Sequence, residues 1–320
     1  QLVAAKKAGV LNDPELTQWI NGISDQLHSK LARVELIPAR EAKQIVELKA
    51  FLEDYKVRRN DVKPATYEVW RQPMRNLVEF FGPERDITTI TEAEALDFRQ
   101  LLVGSKLAST TVSKRLQFVK SFFNDARRRK LIKENPFAEV SSKSVIRLDQ
   151  RHFVPLADTE KLLGSCPNHH WRTIISLARY GGLRCPSEVL SLRWQDIIWD
   201  EKRIVVQSPK TERHGKESRV IPMFPELKTV LEEAWEFAPE GAVYVVDERY
   251  RRAANRKTGW KNCNLRTTFT KIIGRAGLQP WPKLFHAMRS SRETELAREY
   301  PIHVVTAWLG NTPSIALRHY

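Results

Sequence analysis

Apolar residues recur every three or four positions along most of the chain, the period of amphipathic helices, with one short β element among them. Trp19, Ile20, Ile23, Leu27 and Leu31 trace a short helical pattern that Pro38 stops, so residues 1–40 are expected to form a small appendage. From Glu41 the signal strengthens. Ile45, Leu48, Phe51, Leu52 and Tyr55 make one stripe; Trp70, Met74, Leu77 and Phe81 make another before Gly82-Pro83, with Pro73 expected to interrupt or kink it. Thr91 followed by Glu94 is the pattern of a capping box, opening a helix that carries Leu101 and Leu102 to a stop at Gly104. Val112, Leu116, Val119, Phe123 and Ala126 then fall at fours and threes on one long helix. Residues 41–140 are therefore expected to be an all-helical domain.

Residues 141–154 are polar, basic and aperiodic, which predicts an exposed linker. Beyond them, residues 155–320 are expected to form a second lobe in which helices enclose one β element. Arg203–Gln207 and Ser218–Pro222 flank a polar turn containing Gly215, the pattern of a hairpin. Two lobes also agree with a length of 320 residues.

Composition narrows the class. With 42% hydrophobic residues the chain can bury a core, which excludes a disordered or collagen-like protein. A net charge of +15 favours a polyanionic partner such as nucleic acid. Cys166, Cys185 and Cys263 are odd in number and far apart, so neither a disulfide framework nor a paired-cysteine zinc site is expected, and a reducing, intracellular compartment fits. No apolar run approaches the roughly 18 residues of a membrane span. The opening Gln1-Leu2-Val3 is neither a secretory signal nor a start at Met, which predicts a fragment of a soluble protein.

The positive charge is concentrated. Lys114, Arg115, Lys120, Arg127, Arg128, Arg129 and Lys130 stand on or just beyond the long helix, with only Asp125 as an acid between 112 and 130. Between Arg249 and Arg275 stand nine basic residues, Arg252, Arg256 and Lys257 among them, with no acid and with Trp260 interleaved. Charge runs are commonly solvated helix faces, but repetition in so basic a chain favours contact with a phosphate backbone.

Candidate chemistry lies in the second lobe. In Gly181-Gly182-Leu183-Arg184-Cys185-Pro186, a glycine-ended turn is expected to enter a helix at Pro186, with Glu188 in its first turn, near enough in sequence to orient the Arg184 guanidinium. His286 and Arg289 fall at i and i+3 on one face of a predicted helix. Each motif alone is weak, since Arg–Glu pairs at helix starts are usually structural and a histidine beside Phe285 can be a satisfied core residue.

Their order is more specific: Gly-Leu-Arg, a hairpin with a turn lysine, His-x-x-Arg, then Trp308-Leu309-Gly310-Asn311, then Tyr320. In this the chain resembles the tyrosine recombinase (phage integrase) family over roughly residues 41–320. The resemblance implies a mainly α protein with a small β-hairpin or sheet in its catalytic lobe. It also implies a two-lobed DNA clamp, a helical core-binding domain (41–140) joined to a mixed α+β catalytic domain (155–320). Arg184 and Arg289 would clamp the phosphate, a role suited to a planar, permanently charged guanidinium. Tyr320 would be the nucleophile, His286 the acid/base, and Lys210 the proton donor to the leaving 5′ oxygen, with Lys216 in the same turn as the reserve.

Two departures stand out. The family usually has an acid three positions after the first arginine; here Ser187 holds that place and Glu188 follows. Where the family has Leu-Gly-His, this chain has Leu309-Gly310-Asn311, an amide that donates a hydrogen bond but shuttles no proton at neutral pH. Asn311 stands nine residues before Tyr320, as in the family, and Thr312-Pro313 suits the start of a helix carrying the tyrosine. His319 is a rival acid/base by proximity, but neighbours on a helix point about 100° apart, away from the tyrosine's target.

The resemblance implies transesterification through a 3′-phosphotyrosyl link, with no metal, nucleotide or redox cofactor, on double-stranded DNA. It further implies self-assembly, as a tetramer, on paired sites, and a cytoplasmic, nucleoid-associated protein of bacterial or phage origin with no membrane partner. Two alternatives stay open: a type IB topoisomerase-like enzyme that relaxes supercoils, and a catalytically silent DNA-binding protein of the same fold.

Overall fold

A computed structural model describes residues 14–38, 45–143, 151–208, 217–256 and 259–312. The chain divides into two compact units, Gln1–Asp61 with Trp70–Ser144, and Val62–Val69 with Val145–Tyr320.

Six described helices precede residue 130: α1 (Pro14–Gly22), α2 (Asp25–Arg33), α3 (Leu48–Arg58), α4 (Pro64–Phe81), α5 (Glu92–Gly104) and α6 (Ser109–Arg128). The first unit's core is aromatic. Phe51, Tyr55, Trp70, Phe122 and Phe123 pack with Phe98 and Phe137, the Tyr55 and Phe122 rings edge-on at 5.0 Å and Phe123 and Phe137 at 4.8 Å. The stripe read on α6 is buried throughout. The capping box at Thr91 and Glu94 is present, and α5 ends at Gly104.

Two expectations in this unit need correction. Ile45 precedes α3 and is 71% exposed, because Val46 and Glu47 pair with residues 86–87 before the helix can start: Ile87 N donates to Val46 O at 2.9 Å. Pro73 neither interrupts nor ends α4, which runs continuously for 18 residues with the proline ring taking a buried position. In the stretch 141–154, Ser141, Lys143, Arg151, His152 and Phe153 are exposed, and the described ends are held by hydrogen bonds. Arg99 Nε donates to Ser141 O and Ser113 Oγ to Ser142 O, whereas Val154 is fully buried in the second unit, its N–H on Ser291 Oγ at 2.8 Å and its carbonyl on Arg179 Nη2 at 2.9 Å.

The second unit contains α7 (Leu156–Gly164), α8 (His169–Arg179), β1 (Ile197–Ile198), β2 (Arg203–Gln207), β3 (Ser218–Pro222), α9 (Pro225–Glu236), α10 (Arg266–Arg275), α11 (Leu284–Glu299) and α12 (Ile302–Leu309). The strands form an antiparallel sheet in the order β1-β2-β3, with Ile204 opposite Ile221 and Val206 opposite Arg219. The hairpin strands keep the bounds read from the sequence; β1, two residues long, is too short to display a period. Ile204, Val206 and Ile221 face a core shared with Ile174, Leu177 and Ala178 of α8, Leu227 and Leu231 of α9, and Met288 of α11. The fold is mainly helical with one small sheet, and no described helix is long and apolar enough to cross a membrane.

Candidate active site

Two glycines follow α8, and the second lets the chain pass close to α12. A Cβ on Gly181 would lie 2.8 Å from Leu177 O, and one on Gly182, whose φ of +60° is left-handed, would lie 2.3 Å from Leu309 Cδ2. Arg184 follows on a turn, not ahead of the helix expected at Pro186. Its carbonyl accepts from Glu188 N at 2.8 Å and Val189 N at 3.3 Å, and a single 3-10 turn, Val189–Ser191, completes the segment. The chain leaves this turn because Leu192 is extended and Arg193 bridges to Tyr244.

That turn aims Glu188 into the unit, 1% exposed. Its Oε1 accepts from Arg184 Nη1 at 2.5 Å, Arg219 Nη1 at 2.8 Å and Ser208 Oγ at 3.3 Å. Its Oε2 accepts from the Arg184 backbone N–H at 2.7 Å and Arg219 Nη2 at 2.7 Å, with Arg289 Nη1 3.9 Å away. Burial opposes ionisation here, but the Arg219 hydrogen bonds and charge, aided by Arg184 and Arg289, outweigh it and hold the carboxyl at about 2.

The guanidiniums are also fastened to backbone. Arg184 Nη2 donates to Gly310 O, Arg289 Nη1 to Gly182 O and Nη2 to Leu309 O, and Arg219 Nε to Trp308 O at 2.5 Å. Burial, together with the neighbouring charge of Arg184, brings Arg289 down to about 10, so it remains cationic at neutral pH. Three guanidiniums thus surround one carboxylate, and even with nearby Glu293 counted positive charge is in excess. Such a centre can bind an oxyanion.

Helix α11 carries His286, Arg289 and Glu293 at i, i+3 and i+7, with His286 exposed and Glu293 buried. Helix α12 ends in a Schellman motif: Gly310, at φ +66°, donates to Ala307 O, and Asn311 N donates to Thr306 O at 3.1 Å. The motif sets Asn311 beside α11, where its Nδ2 donates to Glu293 Oε1 at 2.6 Å. Arg184, Glu188, Arg289 and Asn311 are therefore brought together, with His286 one turn before Arg289. Lys210, Lys216, Lys257, His319 and Tyr320 lie outside the described residues, as does the start of the expected tyrosine helix at Pro313.

Sequence reasoning missed Arg219 and Glu293. A signal existed for Arg219, which shares the inward face of β3 with Ile221 in a period-two pattern while Val220 is exposed. Nothing local marked Glu293.

The basic clusters divide. Lys114, Arg127, Arg128, Arg129 and Lys130 are exposed, but Arg115 Nη1 is on Asn76 Oδ1 at 2.8 Å, Lys120 Nζ on Ala138 O at 2.7 Å and Arg129 Nε on Asp125 Oδ2 at 3.0 Å. Arg252 and Arg256 are exposed, whereas Arg251 lies 3.6 Å over the Tyr244 ring.

Fold and site together define a two-unit helical protein with a cluster of arginines around one buried carboxylate at the end of its small sheet. Residues 152–320 match the phage integrase family and residues 47–145 the phage integrase SAM-like domain, so the chain belongs to the phage integrase family, the tyrosine recombinases. These are enzymes that transfer DNA strands in site-specific recombination. A XerC-like tyrosine recombinase of Caldanaerobacter subterraneus is 27% identical over 297 residues, covering 81% of this chain and 74% of that protein. A tyrosine recombinase of Thermosipho africanus is 26% identical over 166 residues, covering 49% and 56% respectively. Among solved structures, a lambda integrase dimer bound to a COC′ core site superimposes with a TM-score of 0.69 at 17% identity, over 95% of this chain and 85% of that one. The Tn1549 transposon integrase in complex with circular intermediate DNA gives 0.67 at 16% identity, over 86% and 95%. At these identities the likeness is one of fold.

Proposed function

We propose that this chain cleaves and rejoins double-stranded DNA at specific sites, with the second unit as catalytic domain and the first as core-binding domain. The observation that carries this reading is the convergence of Arg184 and Arg289 on Glu188, with Asn311 beside them. Each guanidinium has five N–H groups, so those not used within the protein remain for a phosphate. Tyr320 Oη attacks the scissile phosphorus as its proton passes to His286. The bond from phosphorus to the 5′ oxygen breaks, and Lys210 protonates that oxygen. The 3′-phosphotyrosyl link is later reversed by a 5′ hydroxyl. Charge developing on the non-bridging oxygens meets Arg184 and Arg289, donors fixed before the reaction begins.

The exposed Lys114, Arg127, Arg128 and Lys130 of the first unit, with Arg252 and Arg256 of the second, supply phosphate contacts along the duplex. Self-assembly on paired sites follows the relatives, which include a lambda integrase tetramer bound to a Holliday junction. A nucleoid substrate places the protein in a bacterial cytoplasm. The test is incubation with nicked suicide substrates carrying candidate sites. A covalent adduct at one defined position is expected, lost in Arg184→Ala and Arg289→Ala. Sequence-indifferent relaxation of supercoils would instead favour a topoisomerase, and binding without any adduct would mean a silent DNA-binding protein.

A further inference from the structure

The Asn311 amide is held in an unusual state. Its Nδ2 donates to the Glu293 carboxylate at 2.6 Å, yet its Oδ1 is buried with no hydrogen-bond partner among the described residues. The carboxylate also forbids the other orientation, since a flipped amide would point Oδ1 at a carboxylate oxygen. Glu293 therefore fixes which edge of the amide is the donor edge, and the second Nδ2 hydrogen has no partner among the described residues.

The location gives that hydrogen a use. Asn311 directly follows Leu309 and Gly310, whose carbonyls receive Arg289 and Arg184, and Glu293 lies one turn beyond Arg289 on the same helix. We propose that Glu293 is a positioning residue that presents Asn311 as a fixed, non-titrating hydrogen-bond donor to the scissile phosphate; this rests on the phosphate-cleaving function proposed above. Unlike an imidazole, the amide keeps its hydrogens throughout the neutral range, so this donor is present at every working pH.

The experiment uses single-turnover cleavage of a suicide substrate by the full chain, with DNA affinity and thermal midpoint recorded in parallel. Adduct formation by the unaltered protein comes first; its absence strikes the function itself and this inference with it. Glu293→Leu removes the acceptor and is expected to slow cleavage by about tenfold to a hundredfold, the effect of misplacing a reacting group by about 1 Å, with DNA affinity unchanged. In an Asn311→Ala background the same substitution should add nothing. Glu293→Gln keeps an acceptor oxygen and should retain most of the rate.

The discriminating variant exchanges the pair, Glu293→Gln with Asn311→Asp. It re-forms the contact with reversed polarity, Gln to Asp, but leaves no hydrogen at position 311 for a phosphate. The thermal midpoint should return toward that of the unaltered protein while cleavage stays low. Recovery of cleavage together with stability would show the contact to be structural only and overturn the proposal, as would an unchanged rate in Glu293→Leu or an equal loss in both backgrounds. If Glu293→Leu fails to fold, the exchanged pair alone decides.

Discussion

Arg219 grips both oxygens of Glu188, Nη1 to Oε1 at 2.8 Å and Nη2 to Oε2 at 2.7 Å, so a residue of the hairpin holds the carboxylate that in turn holds Arg184. Only a guanidinium makes such a fork; an ammonium is a point donor. With 8% of its side chain exposed, Arg219 also reaches the Trp308 carbonyl, joining strand β3, the Arg184 turn and the end of α12.

Arg219→Ala should therefore destabilise the protein by about 3 kcal/mol, the usual scale for removing one partner of a buried pair, read from urea unfolding. Arg219→Lys should lose less stability but still slow cleavage, because Glu188 keeps a charge partner and loses its second anchor. Equal cleavage rates for Arg219→Lys and the unaltered protein would remove Arg219 from the site.

Acid should find the same cluster. Glu188 titrates at about 2 in the folded protein against an ordinary value of 4.5, so between these values the unfolded chain binds more protons than the folded one. Its stabilising contribution is fully present above pH 4.5 and is lost as pH falls toward 2. Glu188→Gln should be less stable at pH 6 and show a shallower loss of stability between pH 4.5 and 2. Parallel pH profiles for the two proteins would contradict this origin of the shift.

Tyr320→Phe removes the oxygen proposed to attack and keeps the ring, so DNA binding should survive and the covalent adduct vanish. Lys210→Ala should slow cleavage by about 10²–10⁴-fold, the range of general acid catalysis, and regain most of its rate when the 5′ bridging oxygen is replaced by sulfur, whose thiolate leaves without a proton. Tyr320→Phe should not be rescued. If sulfur rescues Lys216→Ala instead, the acid is Lys216.

On the basic helix, Arg127→Ala and Arg128→Ala should each lower the salt slope of DNA binding by about 0.9 for every phosphate that the variant no longer neutralises. Arg129→Ala should lower it less, because Asp125 already holds that side chain at 3.0 Å. A larger effect at Arg129 than at Arg128 would show that Asp125 releases it on binding.

What the sequence reveals is mainly what is local. The capping box, the α6 stripe and the bounds of β2 and β3 are set within a few residues, and each is legible. Pro73 misleads because packing in a long helix outweighs the loss of one backbone donor. Glu188 reaches Arg184 through a turn, not through the helix that the sequence suggests. Arg219 and Glu293 escape a reading of the sequence because their partners lie 31 and 18 residues away and meet only through the hairpin and the α11–α12 corner.

The four backbone acceptors at Gly182, Trp308, Leu309 and Gly310 lead to a different kind of conclusion. Two of the four belong to glycines at positive φ, where an added Cβ would meet Leu309 or Arg219, so the corner depends on its backbone as much as on its arginines. Side chains outside the corner can change while these backbone acceptors keep their positions. Change around the arginines therefore costs less than change in the backbone that holds them.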